Sequence, residues 1–217
     1  MRSLQVSLLC GAVAGPLFTL AYLAEGATRT GYDPTRHPVS SLALGEHGWT
    51  QTANFLVAGS LTLAFAAGMW RAPRPAGGPL FGPLLIGVWG AGLIGAGLFR
   101  SDPVSGYPPG TPDRLQYTTL GILHDAFSLA GFAALIVACF VFTRRFLRAG
   151  SRTRAALSAA AGVLFVVLLQ LSGSAFSQNA DLVDHGGLLQ RAAVTVGLGW
   201  MTWIALHLLR ETRVDRP

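Results

Sequence analysis

The sequence predicts an all-α polytopic membrane protein, with six transmembrane helices in three hairpins joined by outer loops. Three observations lead there. The 217 residues are 51% hydrophobic and only 12% charged, about half the charge of an average soluble domain. Six apolar runs reach the roughly 20 residues that a bilayer core about 30 Å thick requires. All sixteen basic residues are arginines, clustered between those runs. This composition excludes an ordinary soluble enzyme, a disordered chain and a nucleic-acid-binding module. The partner it calls for is a lipid bilayer.

The spans fall at about 4–24, 49–70, 79–99, 117–142, 154–176 and 188–209, one six-helix domain over residues 1–217. The first follows Arg2, but its apolar run exceeds the roughly 7–15 residues of a signal peptide and reads as a retained span. Gly11 and Gly15 form a GxxxG pair there, with Gly15-Pro16 the main interruption in any span. Gly87, Ala91 and Gly95 line one face of the third span at four-residue steps. Such small-residue faces let helices pack closely inside a membrane. GAGLIGAG at 90–97 belongs to that packing, since no strand precedes it as a nucleotide loop would need. The fourth span carries His124 and Asp125 near its start. The sixth ends near His207, a helix-end histidine beside Arg210 and the headgroups. Trp49, Trp70, Trp200 and Trp203 sit toward span ends as an interfacial belt, and Trp89 packs mid-span. Cys10 and Cys139 lie inside apolar runs with no metal spacing and read as packing residues.

Arginine counting sets the orientation. Eleven arginines flank the ends that share a side with the termini and five lie on the other side. Eight of the ten acids lie on that other side, so the two sides sum to +9 and −3. The basic side, with both termini, faces the cytoplasm. The basic connections at 71–78 and 143–154 suit anchoring at an anionic leaflet.

The outer side holds the chemistry. Four of the five histidines are there, namely His37, His47, His124 and His185. Asp33 and His37 lie in a segment broken by Pro34 and Pro38, which favours an extended or turn conformation. After Pro38, VSSLALG suits a short amphipathic stretch in the interface, with Ser40 or Ser41 as its cap. Asp102-Pro103 ends the third span and aims a carboxylate at the space between hairpins. An ionisable residue inside a span faces protein or water and has a partner, which singles out His124 and Asp125. Adjacent helix positions diverge by about 100°, so these two point apart.

The expected arrangement is one polar pocket holding Asp33, Arg36, His37, Asp102, His124, Asp125 and His185. The catalytic candidates are His124, Asp125, His37 and Asp33, for acid–base work. The substrate-binding candidates are Arg36, Ser40, Asn54, Asp102 and His185. Three readings fit: a polar network that closes the helix ends, a membrane-embedded enzyme such as a lipid-modifying enzyme or hydrolase, or a site that binds or transports a small molecule or ion. His37, His124 and His185 with Asp33, Asp102 or Asp184 supply metal-ligand types, but without any fixed-spacing motif. No GxSxG elbow marks a serine nucleophile. Nothing assigns a cofactor or an oligomeric state. Uniformly apolar span centres favour a site open only to the outer side over a through-path.

GYDPTRHPVSSLALGEHGWTQTANF at 31–55, SDPVSGYPPG at 101–110 and LHD at 123–125 resemble the bacterial membrane family of domain of unknown function 998, across nearly the whole chain. The resemblance implies a six-helix membrane protein and no reaction. It links Asp33, Arg36, His37, Ser40, Asn54, Asp102, His124 and Asp125 as one set.

Overall fold

A computed structural model describes residues 2–72 and 81–214, with backbone alone at Arg2, Arg213 and Val214. Its helices are α1 (Arg2–Thr28), α2 (Gly48–Arg71), α3 (Phe81–Leu98), α4 (Thr119–Arg148), α5 (Arg152–Phe176) and α6 (Gly186–Val214). Among the described residues six helices are long and apolar enough to cross a membrane, and no strand forms. Arg74 and residues 79–80, Asp215 and Arg216 lie outside the described residues, so most of the expected 71–78 anchor does too.

The helices form a closed ring in chain order. Each packs on its sequence neighbours, and α6 returns to α1. Loops 29–47, 99–118 and 177–185 cover one end of the ring, the loop face, and the termini share the other. Small residues set the close approaches. A Cβ on Gly11 would lie 2.4 Å from the Phe65 ring, and one on Gly15 would lie 3.0 Å from the Leu198 carbonyl. The GxxxG pair therefore serves packing within the chain, and α1 runs unbroken through Pro16. On α3 the tight face is partly displaced from the expected one. Gly92 meets Gly131 of α4 and Gly90 meets Gly59 of α2, whereas Ala91 is exposed. Gly95 does pack, against Phe127.

Two other expectations change. The basic segment 143–154 is mostly helix, and only residues 149–151 turn, with Gly150 at φ +73°. The arginines tolerate this because their long stems lie along apolar surface while their heads reach water. Arg145 sits 5.6 Å above the Phe142 ring and 3.9 Å from Glu211. The stretch after Pro38 forms a 3-10 helix, Val39–Ala43, with no side-chain cap. It is a buried plug rather than an interfacial helix, since Val39, Ser41, Leu42 and Ala43 are all enclosed.

The half of the ring near the termini is filled. Phe142, Phe146, Met201 and Ile204 are buried there, and Trp200 donates to Ser158 at 2.6 Å. Trp200 is thus a core residue and not part of a belt; Trp49 and Trp70 are exposed. His207 pairs with Glu211 at 3.2 Å and stacks on Trp203.

Candidate functional site

Two separate constellations occupy the loop face. The first fastens the loops. Arg191, on the first turns of α6, is only 7% exposed and has no carboxylate partner among the described residues. Its Nη1 donates to the carbonyls of Pro34 (2.6 Å), His37 (3.0 Å) and Gly187 (3.0 Å), and its Nη2 donates to the Tyr32 hydroxyl. The Tyr32 hydroxyl in turn donates to Pro38 at 2.9 Å. Burial pushes the Tyr32 phenol up to about 12, against the pull of the Arg191 guanidinium. The amides of Gly187 and Leu188 donate to Arg36 and Thr35, so loop 29–47 caps the start of α6. Arg36 reaches Asp113 (2.9 Å) and Asp184 (3.3 Å), joining all three loops through exposed ion pairs.

His37 completes this fastening. Its Nδ1 accepts from the Asp33 amide at 2.8 Å, so its Nε2–H donates to the Ser105 carbonyl at 3.2 Å. Burial would raise the Asp33 carboxyl, but the Thr35 hydroxyl and amide at 2.7 and 2.8 Å outweigh it and hold that group low. Burial holds His37 below its ordinary value of 6.5; Ser105 and Asp33 pull the other way, and Arg36 and Arg191 add to the lowering. Protonation would place a hydrogen on Nδ1 facing the Asp33 N–H. The unfolded or released loop therefore takes up the proton first, so the His37 contribution is complete above about pH 6.5 and is lost as the pH falls below it. Limited proteolysis of loop 29–47 is expected to speed up between about pH 7.5 and about pH 5, and to show no such step in His37→Gln. Equal protection of the wild-type loop at both values would refute this.

The second constellation lies lower, where α3, α4 and α5 surround a cavity of about 840 Å³. Its upper wall carries Ser40, Ser101, Asp102, His124, Asp125 and Gln178. Its lower wall is mostly apolar, with Trp89, Leu93, Phe132, Ile136 and Val166 among the lining residues. Asp102 and His124 are partly committed to structure. Asp102 accepts from the Thr118 amide (2.7 Å) and hydroxyl (2.6 Å), closing the N-terminus of α4. His124 Nδ1 donates to Ala96 (3.0 Å) and Phe99 (2.9 Å), closing the C-terminus of α3. Each helix thus caps the other. This leaves His124 Nε2 and the half-buried Asp125 carboxylate on the cavity wall, neither with a hydrogen bond among the described residues.

The cavity opens sideways between α4 and α5. Near their turn the two helices touch, and a Cβ on Gly162 would lie 3.0 Å from Cys139 Cβ. Eleven residues further along α5, a Cβ on Gly173 would meet nothing within 4 Å. Gly173, Gln170, Ala133 and the 65%-exposed Leu129 line the cavity and are exposed at its edge.

The sequence matches the family described as Protein of unknown function (DUF998) over residues 12–207. The chain belongs to that family. It is thus a DUF998 protein with six membrane-spanning helices, and the description of the family carries no activity. No curated protein and no solved structure was found to match the chain.

In this DUF998 protein the seven residues expected in one pocket are divided. Asp102, His124 and Asp125 line the cavity, as does Ser40. Asp33, Arg36 and His37 belong to the loop fastening, and His185 is exposed in a short 3-10 turn. Asn54 ties α2 to α1, donating to Phe18 and Gln51 at 3.1 Å each. Among the described residues no three His, Cys, Asp or Glu side chains gather as a metal site. Arg191 is one of the five arginines on the outer side, and the arginine count gives it no further role. The signal that finds it is an ionisable residue inside the start of the sixth span, the same criterion that selects His124 and Asp125.

Proposed function

We propose that the chain binds a membrane-delivered amphiphile in the cavity between α4 and α5, admitted sideways from the bilayer. The observation that carries this reading is the combination of a lateral opening at Gly173 with polar groups above and apolar ones below. A volume of about 840 Å³ lies within the roughly 300–1,000 Å³ of ordinary ligand pockets. On the arginine bias, the loops face outward and the termini the cytoplasm of a bacterial inner membrane. The filled half of the ring near the termini supports a site open to one side over a through-path.

A second reading, an enzyme acting on that amphiphile, is favoured by one observation. His124 Nε2 and the Asp125 carboxylate share the cavity wall, and both are groups that can carry protons.

Photolabelling tests the proposal. The protein is reconstituted in phosphatidylcholine nanodiscs containing a diazirine-bearing single-chain lipid. Labels are expected on the cavity-lining segments 128–136 and 166–177. Gly173→Trp, whose side chain fills the opening without a clash at Cβ, is expected to reduce that labelling at least tenfold while the protein elutes normally. Labelling that Gly173→Trp leaves unchanged would defeat the proposal. Intact lipid recovered from unlabelled sample supports binding alone, and a chemically altered lipid supports the enzyme.

A further inference from the structure

The cavity carries an imbalance of charge. Two carboxylates line it, Asp102 and Asp125. Asp102 is satisfied by Thr118 and the start of α4. Asp125 is not satisfied in that way: it makes no hydrogen bond or ion pair among the described residues. The groups that act on it are His124 and Asp102. His124 is bound through Nδ1–H to two carbonyls and Asp102 is another acid, and among the described residues neither side chain bonds to the Asp125 carboxylate. The chain has no lysine, and among the described residues the one arginine on the cavity lining, Arg114, is exposed at the rim among the loops, where water and salt screen it. A carboxylate inside a span calls for a partner of opposite charge.

Below Asp125 the wall is aromatic. Phe132 lies seven residues along α4 on the same side, about 10 Å deeper at 1.5 Å per residue. It stacks on Trp89 with centroids 5.6 Å apart. Phe55 lines the cavity too, with its ring against His124. Aromatic faces attract ammonium groups as well as hydrocarbon, tryptophan most strongly.

Resting on the reading of the cavity as an amphiphile site, we infer that its occupant is a cationic amphiphile. The ammonium head pairs with the Asp125 carboxylate, and the apolar body lies along Phe132 and Trp89. Arg114 at the rim sits above the head, in the aqueous loops, and leaves the carboxylate as the charge met inside the membrane.

Competition against the photolabel distinguishes the two levels of the claim. The probes are decyltrimethylammonium and its neutral isostere, in which a tert-butyl group replaces the trimethylammonium. Both are used in zwitterionic nanodiscs, and empty discs correct for partitioning. The cation is expected to block labelling of segment 166–177 at least tenfold more potently than the isostere. Asp125→Asn is expected to erase that preference, and Asp125→Glu to keep it, which separates charge from folding. Equal potency of the two probes, or a preference that survives Asp125→Asn, overturns the cationic occupant and leaves the cavity reading standing. An anionic single-chain probe that competes better than either also overturns it. Labelling that neither probe displaces and Gly173→Trp does not reduce overturns both.

Discussion

Arg191→Met is expected to lower the unfolding free energy by about 3–5 kcal/mol. Methionine fills similar space but supplies no donor. The carbonyls of Pro34, His37 and Gly187 and the hydroxyl of Tyr32 then lose a charged partner in a buried place. A single buried acceptor left without its bond costs about 1–3 kcal/mol, and partial hydration of the freed loop offsets some of the sum. The loss falls on loop 29–47, because three of the four partners belong to it. In detergent the midpoint of thermal unfolding should fall on the order of 10 °C, with new protease cleavage between residues 30 and 44. Arg191→Lys should recover only part, since an ammonium cannot span the fork of sites that the guanidinium fills. A methionine variant with an unchanged midpoint and a protected loop would show that Arg191 does not hold this loop.

Gly121→Ala should lose about 2 kcal/mol, opposite in sign to what helix propensity gives. On an unobstructed helix alanine is better than glycine by about 1 kcal/mol. Here a Cβ would lie 1.9 Å from Asp102 Oδ2 and 2.8 Å from Oδ1. The carboxylate has to leave the Thr118 amide and hydroxyl, so α4 loses its cap and Asp102 remains buried with fewer partners. Adding Asp102→Ala removes the obstruction. The double variant should then be no less stable than Asp102→Ala alone, a coupling that a thermodynamic cycle reads directly. Additive losses would mean that glycine is needed at this position for another reason.

The six helices were legible because lipid demands long apolar runs, and such runs survive in composition alone. The end of α4 was not. TRRFLR reads as a polar loop, yet the helix continues to Arg148 because the arginines lie at a boundary where their charges reach water. The chemistry on the loop face was legible by residue type and not by grouping. Asp102 does aim its carboxylate inward, but onto the amide of Thr118. His124 points at the carbonyls of Ala96 and Phe99, and His37 at that of Ser105. In each case the partner is a main-chain group, which any residue can supply and no motif records. A search for side chains that match side chains therefore merges the cavity with the loop fastening.

The order of the ring also has a meaning in time. A chain is made from its N-terminus, and five of the six helix contacts join neighbours that emerge in succession, which suits insertion one hairpin after another. The sixth contact, α6 on α1, waits for the last helix. Arg191 travels on that helix and grips Pro34, made 157 positions earlier. Until then the first loop has no anchor on α6 and the flank of α1 facing Leu198 is bare. A chain halted before α6 would therefore present a loose loop and an uncovered edge together, the pair of features by which a quality-control protease can tell an unfinished copy from a finished one.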